Sequence, residues 1–243
     1  MDEEEAPPTA PPPPPPMGMA MGSSPNTAQV NPQWTALLAA LQAEEHCPEV
    51  LAWQGEIVDS LTSGLRTQEQ HIEEAMKGAG VRENLFSAPL YQMEVARVRY
   101  ALNSYVRARL RKILKCAGHL DSEAWARLSP HEQTLCSRYL GLCARYHHAA
   151  FLQDLPPPFQ EGDLSADNAE CPGAFGKAFT RPPALDDFVF ARVTKDLGEI
   201  VVDTDENDRG GGSKTTRLAE GDIHVLKYAA VRPLVYSGAL ALF

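Results

Sequence analysis

The chain has 243 residues, 44% of them hydrophobic and 22% charged, enough for one large or two small domains with real cores. Its 22 Lys and Arg against 32 Asp and Glu give a net charge of −10, which argues against a whole surface built to seek nucleic acid. No apolar run approaches the roughly 18 residues of a membrane span.

Residues 1–30 open Met-Asp-Glu-Glu-Glu, pass through Pro11–Pro16 and continue in a Met/Gly/Ser stretch. Such a segment buries too little apolar surface to offset its ordering entropy, so a disordered acidic, Pro-rich tail is expected, with no secretory signal. Cys47, Cys116, Cys136, Cys143 and Cys171 are odd in number and lack CxxC spacing, the pattern of reduced intracellular thiols.

Four helices are expected next. Asn31-Pro32 caps the first, which carries Trp34, Leu37, Leu38 and Leu41. Pro48 opens the second, with Leu51, Val58, Leu61, Leu65, Ile72 and Met76, and Gly78 and Gly80 close it. The third begins at Ser87 and contains the basic run Gln92–Lys115, with seven basic residues and the single acid Glu94. Val95, Val98, Leu102, Tyr105, Val106 and Ile113 share one face, with Arg97, Arg107, Arg111 and Lys115 opposite. Arg109 falls inside the apolar stripe, where a guanidinium requires a carboxylate or carbonyls. Its partner is expected across a domain or subunit boundary. Ser129-Pro130-His131-Glu132 is a capping box that starts the fourth helix, with Leu135, Tyr139, Leu142 and Tyr146 on one side.

Residues 156–183 read as a linker. Beyond it, strands are expected at Phe188–Val193, Glu199–Asp203 and Ile223–Tyr228, then a short helix over Ala230–Ser237 and a strand at Ala239–Phe243. Phe188, Val189, Phe190, Ile200, Val201, Val202 and Val225 would form the small core. The fold class is α+β: a disordered tail (1–30), an all-helical domain of about four long helices (31–155), the linker (156–183) and a small β-rich domain (184–243).

Chemistry is hard to find. P-loop, GxSxG, HExxH and dinucleotide motifs are missing, so no catalytic residue, cofactor site or metal site is assigned. Asp203-Thr-Asp205-Glu-Asn207 starts like a calcium loop, but Asp208 and Lys214 stand where glycine and a bidentate glutamate are needed. Cys136, Cys143 and His147 share a helix face without a fourth ligand. The basic helix has two readings. With Tyr100 interleaved it is a nucleic-acid-binding surface; with its mixed faces it is an assembly element, which the acidic whole-chain charge favours.

At this helix the sequence resembles a known family. Met93-Glu94, Arg97, Arg99-Tyr100, Leu102, Tyr105, Arg107, Arg109-Leu110 and Lys112-Ile113 are similar to the fourth-subunit (Sld-five type) family of the GINS complex. Leu185-Asp186, Val189-Phe190, Arg192-Val193, Asp203–Glu206, Tyr228, Leu234-Val235 and Ser237–Ala239 follow in that family's order. The resemblance implies a non-catalytic, nuclear subunit of a heterotetramer acting in DNA replication. Its partners would be three other GINS subunits and, through the complex, the MCM helicase ring and a DHH-family accessory protein, with DNA contact weak at most. Interface or structural roles would then fall on Met93, Arg97, Arg99, Tyr100, Leu102, Tyr105, Arg107, Arg109, Leu110, Ile113, Phe188, Phe190, Arg192, Tyr228, Leu234 and Leu242.

Overall fold

Helix α1 (Pro32–His46) begins where Asn31 Oδ1 accepts the Gln33 N–H at 2.9 Å and proline occupies the first helical position, as expected. The computed structural model describes residues 31–77, 86–154, 156, 180–203 and 214–243. The acidic tail, most of the expected linker and the calcium-like run after Asp203 lie outside the described residues.

Helix α2 spans Gly55–Lys77, so Pro48 does not open it. Residues 48–54 form a connector whose backbone is satisfied by distant groups. Arg109 donates to the Leu51 carbonyl, Lys112 to that of Glu49, and the Trp53 N–H donates to the Arg127 carbonyl. With those partners the segment has no need of a helical ladder. Along α2, Leu61, Leu65, Gln68 and Ile72 are buried at helical spacing, while Met76 is exposed.

Helix α3 runs from Ser87 to Cys116 and buries Val95, Val98, Leu102, Tyr105, Arg109 and Ile113 on one side. Sequence reading gave no element between α3 and the capping box. The structure has a 3-10 turn at Ala117–His119 and the short helix α4 (Ser122–Ala126), capped by Asp121 accepting the Ala124 N–H at 2.7 Å. Helix α5 (Pro130–Ala150) starts at the expected box, with both reciprocal Ser129–Glu132 bonds formed.

In the β-rich part, β1 (Phe188–Val193) lies between β4 (Ile223–Lys227) and β5 (Leu240–Leu242), antiparallel to both. A separate antiparallel pair joins β2 (Gly198–Asp203) to β3 (Lys214–Leu218). Strand β3 was not expected, and the third expected strand stops at Lys227, where Tyr228 begins helix α6 (Tyr228–Tyr236). Gly238, at φ +70°, ends α6. Its N–H donates to the Val235 carbonyl and that of Ala239 to Leu234, a Schellman pattern that sends the chain straight into β5.

Strand β1 alternates strictly, with Val189, Ala191 and Val193 inward. Phe188, Phe190 and Val225, expected in the core, instead point outward and are more than half exposed. The core consists of those three inward residues with Leu218, Leu226, Tyr228, Val231, Leu240 and Leu242, and Ile200 packs at its margin. The side chains of Val201 and Val202 lie outside the described residues.

The described residues fall into two compact units, one made of those within 31–38 and 55–103, the other of those within 39–54 and 104–243. The second therefore holds the end of α1, the connector, the latter part of α3, α4, α5 and the whole β-rich part.

Candidate functional site

The segment Cys47–Leu51, at the start of the connector, lies between two groups of buried charge in the second unit. Its residues diverge. Val50 packs with Ile113, Ala117, Leu128, Cys136 and Leu140 among the helices. Cys47 belongs to the β-rich core, and Leu51 packs against it.

On the helical side stands Arg109, fully buried. Its Nε and Nη2 donate to the two carboxylate oxygens of Glu132 at 2.8 and 3.0 Å, and Nη1 donates to Glu44 Oε2 at 3.2 Å and to the Leu51 carbonyl at 2.7 Å. The guanidinium also lies over the Trp53 and Tyr105 rings, which stack on each other. Lys112 donates to Glu44 Oε1 at 3.0 Å and to the Glu49 carbonyl at 3.1 Å. Two cations thus meet two carboxylates, and the buried charge is balanced. Burial works against the Arg109 charge, yet the Glu132 hydrogen bond and the Glu44 charge outweigh it and push the guanidinium's pKa up. The partner expected across a boundary is therefore a pair of acids within the same compact unit.

On the other side stands Glu49, also buried. Its Oε1 accepts from Tyr228 Oη and Arg232 Nε, both at 2.6 Å, and its Oε2 accepts from Arg232 Nη2 at 2.8 Å and Arg127 Nη1 at 3.1 Å. Cys47 Sγ donates to Tyr228 Oη at 3.2 Å, and Arg127 also donates to Tyr236. Burial alone would raise the Glu49 carboxyl, but the hydrogen bonds from Arg232, Tyr228 and Tyr236 bring it down to about 2. Burial first, and then the Glu49 contact, push Tyr236 up to about 12, and Tyr228 is driven higher still by burial and Cys47. Glu49 is thus too weak a base at neutral pH, and burial keeps Cys47 a thiol by raising its pKa. The cluster is suited to holding elements together rather than to reaction.

Sequence reading did not find Glu44, Glu49, Arg127, Arg232 or Tyr236. The one available signal was Arg109 in an apolar stripe, which demands acids without saying which.

The remaining expected residues divide by exposure. Leu102, Tyr105, Ile113, Tyr228 and Leu242 are buried, and Leu110 and Leu234 are half-buried. Met93 (68% exposed), Tyr100 (73%), Arg97, Arg99 and Arg107 face outward on α3. Arg97 pairs with Glu94 and lies over Trp34, and Arg99 pairs with Glu69. Phe188, Phe190 and Arg192 face outward on β1, and Arg192 lies over the Phe243 ring. On α5, Leu135, Leu142 and Tyr146 are exposed, while Cys136 is fully buried among apolar neighbours. Among the described residues no His/Cys/Asp/Glu group is placed to hold a metal ion.

Residues 61–151 match the family described as GINS complex protein helical bundle domain, and residues 183–243 match the DNA replication complex GINS protein SLD5 C-terminus. The chain is 32% identical over 207 residues to the DNA replication complex GINS protein SLD5 of Bos taurus, covering 82% of this chain and 83% of that protein. It is likewise 32% identical to the Homo sapiens protein of the same description, over 82% and 83% of the two chains. The Arabidopsis thaliana counterpart is 29% identical over 85% of this chain and 89% of its own.

Proposed function

The chain belongs to the SLD5 family of GINS proteins of DNA replication, and from that premise we propose that it is a non-catalytic structural subunit of a GINS heterotetramer. It works in the nucleus. Through the complex it binds the MCM ring and its DHH-family accessory protein, forming the replicative helicase. The proposed organisation is a helical domain over 31–155, a linker over 156–183 and a β-rich domain over 184–243; the helical-bundle match over 61–151 lies within the first, and the C-terminal match over 183–243 begins one residue before the last.

The observation that carries this reading is the outward display of large apolar side chains on helices whose other faces are already packed. On α3 these are Leu90, Met93 and Tyr100, and on α5 Leu135, Leu142 and Tyr146. Water is a poor neighbour for such stripes, and companion subunits are their proposed cover. Arg97, Arg99 and Arg107 interleave with the α3 residues and would meet carboxylates at the polar rim. The outward Phe188, Phe190 and Arg192 are assigned to the same role in the β-rich part. Co-expression with the three candidate companion subunits, followed by sizing, tests the reading. One peak holding all four chains is expected, and a soluble monomer that leaves the other three assembled without it would overturn the assignment.

The exposed Arg107, Arg111 and Lys115 favour a second reading, in which this surface binds nucleic acid directly.

A further inference from the structure

We propose that Glu49 is an electrostatic latch, and that its loss releases the β-rich part from the helices of its own compact unit. The connector is fixed to the helices without any help from the Glu49 side chain. Arg109 and Lys112 hold the carbonyls of Leu51 and Glu49, and Val50 is packed between α3 and α5. The carboxylate is therefore free to reach the other way, where it grips Arg232 bidentately and receives the Tyr228 hydroxyl, both on α6. It also takes Arg127, which follows α4.

Arg127 comes from the helical side and Arg232 from the β-rich side, and both guanidiniums lie over one ring, that of Tyr236, at 4.4 and 5.7 Å from its centroid. With Glu49 charged, one anion bridges two cations and the contact attracts. Arg127 has a second acid in Glu123, an exposed partner that screens it only partly. With Glu49 neutralised, two guanidiniums face each other across the contact and it repels. The sign of the interaction, and not merely its size, depends on one side chain. Apart from Glu49, Cys47 and Leu51 pack against the β-rich core, and Cys47 and Arg127 donate to Tyr228 and Tyr236. The chain entering the β-rich part also bonds the end of α3 and the turn after it, through Arg181 to the Lys115 carbonyl and Gly118 to Thr180.

A distance measurement tests this on the full chain. Spin labels carried on non-cysteine side chains replace Arg138 on α5 and Lys195 after β1, both exposed. The wild-type background is expected to show a single narrow distance, and Glu49→Gln to lose it for a broad distribution, with helical circular dichroism retained. In Glu49→Gln/Arg127→Leu the repulsion is gone and the narrow distance returns in part, whereas simple loss of contacts would broaden it further. An unchanged distribution in Glu49→Gln, or a double variant as broad as the single one, overturns the latch. Should Glu49→Gln fail to fold, Arg232→Gln at the partly exposed end of the same contact gives the same reading: broadening supports the latch, and a wild-type distribution sinks it.

Discussion

Glu132 serves Arg109 and its own helix at once. One of its oxygens, Oε2, accepts the Ser129 N–H at 2.8 Å and Arg109 Nη2 at 3.0 Å. The start of α5 is thereby set by a side chain of α3, and the capping box doubles as the seat of the buried arginine.

Replacing Arg109 by Met leaves Glu44 and Glu132 buried with too few donors. Removing one partner of such a cluster costs about 3–5 kcal/mol. For a chain of this length the melting midpoint should fall by roughly 10 °C. A thermal melt of the assembled complex measures it, and an unmoved midpoint would show that the cluster contributes nothing.

Acid should weaken the Glu49 contact in a defined window. The folded carboxyl sits at about 2 against an ordinary 4.5, so its contribution is complete above about pH 4.5 and is lost as pH falls towards 2. Two to three units correspond to something on the order of 3 kcal/mol. The groups facing it whose pKa is pushed upward, Arg127, Arg232, Tyr228, Tyr236 and Cys47, keep their protons throughout that range. Denaturant titrations from pH 6 to pH 3 are expected to show stability falling in wild type by more than in Glu49→Gln. Parallel curves for the two would refute the assignment.

Charge reversal at Arg107, Arg111 and Lys115 separates the two readings of α3. As assembly or solvent residues they should leave the DNA affinity of the purified complex nearly unchanged. As phosphate contacts, each should lower the slope of log K against log salt by roughly one unit. A drop of that size at two of the three positions would move the assignment to nucleic-acid binding.

Deletion of Leu240–Phe243 removes β5, an edge of the three-stranded sheet, together with Leu240 and Leu242 from the core. Losing two buried leucines costs several kcal/mol in a part this small. The expected result is a tetramer recovered in reduced yield and with a lower melting midpoint. Full yield at unchanged stability would mean that the β-rich part is dispensable for assembly.

Helical periodicity made the inward face of α3 legible, because Val95, Val98, Leu102, Tyr105 and Ile113 recur at its spacing. It also marked Arg109 as anomalous, and the anomaly is the centre of the buried cluster. Parity in β1 was not legible, because Phe-Val-Phe-Ala-Arg-Val is apolar in both registers over its first four residues and only its neighbours decide which set turns inward. Strand β3, Lys-Thr-Thr-Arg-Leu, has no apolar alternation and is a strand because β2 pairs with it. The false helix start at Pro48 has the same origin, since the groups that satisfy the connector lie about sixty residues on, at Arg109 and Lys112. The Glu49–Arg232 contact, 183 positions apart, leaves no local trace at all.

Those separations also set a timetable. The Arg109 cluster draws on residues 23 and 65 positions away and can close once α5 begins, whereas Glu49 must wait for Tyr228 and Arg232. Loop closure over such a span is slow, so the two sides of one short connector are expected to mature in sequence, helical side first. Pulsed hydrogen exchange during refolding would see this as protection of α3 and α5 ahead of α6, and simultaneous protection would contradict it. Until the late contact forms, the chain carries a carboxylate that is half enclosed by finished structure and still short of its main counter-charge. Folding intermediates of this protein should accordingly be most sensitive to added salt at that one position.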